Sequence, residues 1–112
     1  MEMEEPGFKI NLINDDLQRK LLHKFGIDHQ TIIAMEELAE LQKAFSKAAR
    51  YLTDMKFVPE SDKYVRDMAE EIADVLICIR QMELYYAIPE DMIYQFIKAK
   101  QVRDIERYNL DN

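Results

Sequence analysis

Apolar residues along this chain recur at threes and fours, and no stretch alternates with a period of two, which predicts an all-α fold. The longest such pattern contains Ile32, Ile33, Leu38, Leu41, Phe45, Ala48, Ala49 and Leu52, and it predicts a helix from Asp28 to Leu52. A shorter helix before it, Asp15 to Phe25, has Asn14 as its cap and Gly26 as its stop. A third helix is expected from Ser61 or Asp62 to Tyr86, and a fourth from Pro89, which suits a first turn, to Arg107. Glycine and proline fall at the seams: Pro6-Gly7, Gly26, Pro59 and Pro89. Thr53 to Glu60 is the longest expected loop. Val75 to Ile79 is apolar around nearly the whole helix and needs cover on every side, which four modest helices of one chain do not supply.

The 112 residues are expected to form one domain, 1–112, in a four-helix bundle-like arrangement with a small core, 48% of the chain being hydrophobic. A small core and that all-round apolar turn together lead us to expect association of subunits. The net charge of -7 opposes nucleic-acid polymers and anionic lipid as partners. It leaves room for a small anion held through metal ions. The single Cys78 excludes an intrachain disulfide and suits a reducing compartment. No apolar run is long enough to span a bilayer, and the acidic start "MEMEEPGFKI" is unlike a secretory signal, so a soluble, cytoplasmic protein is expected.

Two acidic clusters change this picture. "EELAEL" carries Glu36, Glu37 and Glu40; "EEIADV" carries Glu70, Glu71 and Asp74. Positions i, i+1 and i+4 share one side of a helix, so each trio projects together. Counter-charge within a turn is sparse: Lys43 can serve Glu40 and Arg66 can serve Glu70. Glu71 has Asp67, another acid, four residues before it. One such cluster alone reads as a solvated helix face. Two matched clusters beside apolar surface, on consecutive helices that a loop folds antiparallel, would repel or take up protons unless cations lie between them. A hard divalent ion such as Mg²⁺, which takes oxygen ligands and keeps waters and phosphates in its shell, removes the difficulty. A di-iron site would need Glu-x-x-His pairs, and none occurs. Zinc lacks ligands, with one Cys and two scattered residues, His23 and His29.

The ordered pair "EELAEL" and "EEIADVL", preceded by "FGIDHQTIIAMEELAELQKA" and followed by the basic segment "FIKAKQVRDIERY", resembles the MazG-like branch of the all-α nucleoside triphosphate pyrophosphohydrolases. The resemblance covers most of the chain. It implies a MazG/dUTPase-type helical fold that assembles as a homodimer or homotetramer, and cleavage of an NTP or dNTP to the monophosphate and pyrophosphate. It implies Mg²⁺, with Mn²⁺ as an alternative, held by Glu37, Glu40, Glu71 and Asp74. Glu37, or Glu36 outside the ligand set, would be the catalytic base, and Lys100, Arg103 and Arg107 would bind phosphate. Without tryptophan, any stacking on a nucleobase falls to Phe8, Phe25, Tyr51 or Phe57. The chain departs from the family pattern in a long interval between Glu40 and Glu71, and in Asp104 where an asparagine is usual. A non-catalytic bundle that binds metal or nucleotide as a sensor or interaction module is the alternative reading.

Overall fold

A computed structural model describes residues 12–54 and 61–110 of the protein. They form three helices and no strand: α1 (Asp15–Asp54), α2 (Ser61–Tyr86) and α3 (Glu90–Tyr108). The described residues are all-α, as the apolar period predicts. The Pro6-Gly7 seam and residues 55–60 of the expected loop lie outside the described residues.

The two helices expected on either side of Gly26 are both present, and they run together as α1 across a kink at Gly26, whose backbone is non-helical. Asn14 caps the start as expected: its Oδ1 accepts the Leu17 backbone N–H at 2.9 Å. Gly26 has φ 85° and ψ 158°, a conformation open in practice only to glycine. The bend it makes has a visible purpose. Gln18 and Gln30 lie on opposite sides of Gly26 and would be about 18 Å apart along an unbroken helix. Both bond to one α2 side chain: Gln30 Nε2–H donates to Gln81 Oε1 at 3.1 Å, and Gln81 Nε2–H donates to Gln18 Oε1 at 2.7 Å. His29 Nδ1–H donates to Gln30 Oε1 at 2.7 Å and extends the chain of bonds. The three glutamines are buried, so each bond replaces lost water.

Next to Gln81 on the same turn of α2, Arg80 gathers the ends of all three helices. Its Nε and Nη2 donate side by side to the two carboxylate oxygens of Asp15, each at 2.8 Å. Its Nη1 donates to the buried Glu83 at 2.8 Å and lies 3.6 Å from Glu90 of α3. The guanidinium holds the Asp15 carboxyl below its ordinary range, and these carboxylates hold Arg80 firmly protonated.

α2 ends in a left-handed residue, Ala87 (φ 54°), with the Ile88 N–H donating to the Glu83 carbonyl at 3.0 Å; Pro89 then stops the chain from continuing helically. α3 closes the same way, with Asn109 at φ 57° and the Leu110 N–H on the Ile105 carbonyl.

α1 and α2 pack antiparallel on each other, while α3 packs substantially on neither and buries no residue. The apolar core among the described residues is Ala48, Val75 and Cys78, and none of their large side chains is fully buried. Ile32, Leu38 and Phe45, which belong to the apolar pattern that predicts this helix, are exposed. Their spacing marks an apolar stripe correctly, but nothing among the described residues covers it.

Replacing Gly26 with alanine should therefore destabilise the fold through backbone strain alone, since a Cβ there meets nothing within 4 Å. The expected loss is about 1–3 kcal/mol, read from the urea midpoint at unchanged slope. An unchanged midpoint would mean that α1 runs straight in solution.

Candidate metal centre

The α1–α2 register that brings Gln30 to Gln81 also sets the acids. Glu37 lies seven residues after Gln30, and Asp74 lies seven before Gln81. On antiparallel helices this puts Glu37 opposite Asp74, two turns or about 10 Å from the glutamine pair. One carboxylate oxygen from each of Glu37, Glu71 and Asp74 lies within 4.8 Å of the others. Glu37 and Glu71 are half-buried.

Such closeness is costly without a cation. Burial raises the Glu37 carboxyl above its ordinary value, and the negative charges of Asp74, Glu71, Glu40 and Glu36 add to the shift. Glu71 is raised by the same causes, burial first, then Asp74, Glu40, Glu70 and Asp67. The charges acting on both are carboxylates. Burial likewise raises the thiol of Cys78, with Glu37 and Asp74 opposing its ionisation.

Three carboxylates on two helices form an all-oxygen donor set suited to a hard divalent ion. Mg²⁺ holds oxygens at about 2.1 Å, so two ligands of one ion are about 3 Å apart side by side and about 4.2 Å apart across it. The carboxylate oxygens of Glu37, Glu71 and Asp74, no more than 4.8 Å from one another, lie near those separations. The residues fit the ion.

The expected ligand set is thus brought together in three of its four members. Glu40 lies within electrostatic reach of Glu37 and Glu71, but its carboxylate leans to Lys43 at 3.8 Å. Glu36 is exposed beside Glu37. The cations expected at phosphate are not gathered at the acids. Lys100, Arg103 and Arg107 are exposed on α3, and Arg103 pairs with Asp104 at 3.3 Å. Among the stacking candidates, Phe25 is part-exposed and stacks on His29 with centroids 5.0 Å apart. Phe8 and Phe57 lie outside the described residues, as does the side chain of Tyr51. A cavity of about 520 Å³ lies elsewhere, between Arg80 and the start of α3. The Arg80 charge there is already balanced by Asp15, Glu83 and Glu90.

Gln18, Gln30 and Gln81 are not among the residues that the sequence singles out, although they hold the acids in register. The seven-residue offset shared by Gln30 with Glu37 and by Gln81 with Asp74 is the signal that could have found them. No family model, curated protein or solved structure matches the chain. No helix among the described residues is long and apolar enough to cross a membrane.

A carboxyl raised in the fold binds its proton more tightly there than in the unfolded chain. Its contribution is therefore favourable at low pH and is lost as pH rises from the ordinary value of 4.5 through the higher folded value. In metal-free buffer at pH 8, Glu37→Gln should raise the melting temperature by about 1–3 °C, the scale of a few tenths of a kcal/mol of like-charge repulsion. The gain should shrink as pH falls toward 4. A variant less stable than the parent at pH 8 would show that the Glu37 charge is not strained.

Proposed function

We propose that this chain is a Mg²⁺-dependent nucleoside triphosphate pyrophosphohydrolase of the MazG-like kind. The observation that carries the reading is the meeting of Glu37, Glu71 and Asp74, within 4.8 Å, on two antiparallel helices whose acidic motifs follow the order Glu-x-x-Glu, Glu-x-x-Asp. Mn²⁺ has the same preference for oxygen ligands and would substitute.

The reaction is NTP plus water giving NMP plus pyrophosphate. Glu37, Glu71 and Asp74 would hold Mg²⁺, with Glu40, one turn along α1 and paired with Lys43, as the fourth candidate ligand. When bound, the ion neutralises the triphosphate and lowers the pKa of a coordinated water. Glu37, or Glu36 beside it, accepts the proton of the attacking water. Lys100, Arg103 and Arg107 meet the leaving pyrophosphate through charge-assisted bonds where an α3, from the same copy or a neighbouring one, is brought to the acids.

The distance of those cations from the acids in the single chain favours a second reading: a bundle that binds metal or nucleotide without turning it over. A panel of the common NTPs and dNTPs, assayed for pyrophosphate with Mg²⁺ and with Mn²⁺, separates the two. Hydrolysis should appear for at least one nucleotide and fall by about 10²-fold or more in Glu71→Ala and in Glu40→Ala, with helicity unchanged. Metal-dependent thermal stabilisation without product would establish the binding module instead. Full Mg²⁺-dependent turnover by Glu71→Ala would overturn the ligand assignment.

A further inference from the structure

One side chain of α2 bonds to α1 on both sides of the Gly26 bend. Gln81, which is 3% exposed, donates to Gln18 before the bend and accepts from Gln30 after it. The apolar core among the described residues, Ala48, Val75 and Cys78, cannot do the same work, because apolar contact is non-directional and tolerates a slide or a twist. Buried amide bonds do not tolerate either. Seven residues turn a helix through about 700°, nearly two whole turns. Gln81 and Asp74 therefore lie almost on one line along α2, as Gln30 and Glu37 do along α1. The Gln30–Gln81 bond resists sliding of Glu37 past Asp74, and the Gln81–Gln18 bond, reaching across the bend, resists rotation of α2 between them.

We propose that Gln18, Gln30 and Gln81 are positioning residues of the metal centre, which set Glu37 against Asp74 before an ion arrives and so raise the affinity for it. This rests on the metal-binding part of the function proposed above. Without the clasp, the repulsion among Glu37, Glu71 and Asp74 drives the two helices to slide or twist until the carboxylates separate. An entering ion then has to restore the closed register, and the affinity falls by the fraction of molecules that already hold it. With the clasp, the fold carries that repulsion in advance.

This role differs measurably from plain structural support. Changing all three glutamines to methionine, which has nearly the same shape, removes donors and acceptors together and leaves no member of the trio unpaired. His29, which is exposed, keeps water as a partner. The metal-free fold should then keep its stability or gain some, as the acids relax apart, while the ion is held less well.

The test uses the full chain and Mn²⁺, with binding followed by water proton relaxation, which reads weak sites as well as strong ones. Gln18→Met/Gln30→Met/Gln81→Met should melt no more than about 3 °C below the parent without metal, and bind Mn²⁺ about tenfold more weakly. In a Glu37→Gln background, where one of the carboxylates set by the clasp is gone, the same triple change should weaken binding by less than about threefold. Should the triple variant fail to fold, Gln30→Met alone decides by its Mn²⁺ affinity. Parental affinity in the folded variant, or an equal loss with and without Glu37, would overturn the proposal and leave the metal centre standing. No binding by the parent would remove the centre and the proposal together.

Discussion

The constraint on which the rest of this structure depends is the repulsion among carboxylates that two helices hold against each other. Glu37, Glu71 and Asp74 converge beside the apolar turn that begins at Val75. Glu36 and Glu40 on α1, with Asp67 and Glu70 on α2, add the same sign of charge. Water screens such a cluster on an open surface; half-burial removes part of that screening and raises proton affinity instead. A chain that keeps this arrangement either carries the penalty or offsets it with a cation, and the oxygen-only donor set indicates a hard one.

Something must hold the acids together against their repulsion, and the described residues show what does. The run His29–Gln30–Gln81–Gln18 joins both segments of α1 to a single turn of α2. Arg80 then ties Asp15, Glu83 and the start of α3 to that same turn. A polar network buried between helices gives register rather than raw stability, because any slip leaves donors and acceptors unpaired. Slipping α1 by one residue past α2 would break the Gln30–Gln81 bond and turn Glu37 away from Asp74 together. Among the described residues the interior is largely polar, with Gln18, Gln30, Gln81 and Glu83 buried, while large apolar side chains such as Ile32, Leu38 and Phe45 stay outside.

Much of this is legible in the residues. The period of three to four predicts helices whose bounds the structure nearly repeats: Ser61 to Tyr86 matches, and the last helix shifts by one residue at each end. The Asn14 cap and the antiparallel facing of two acidic motifs are also legible, because caps and i, i+4 geometry are local. Partner choice is not. An apolar stripe such as Ile32, Leu38 and Phe45 states that a face needs cover without stating whether its own chain supplies it. Gly26 announces an end to a helix, but its φ and ψ let the next begin at once, and no sequence pattern distinguishes a stop from a sharp bend. Glutamine in a helix ordinarily reads as surface, which hides the buried trio. The family pattern groups Glu40 with the ligands, while in the structure its carboxylate leans to Lys43.

The most direct test of the central claim is calorimetric titration of the metal-free protein with Mn²⁺, beside Glu71→Gln and Asp74→Asn. If the acids are held together to receive a hard cation, the parent binds at a defined stoichiometry per chain and releases protons as it does so, while each variant binds at least about tenfold more weakly. Equal binding by parent and variants, or none by either, would contradict it.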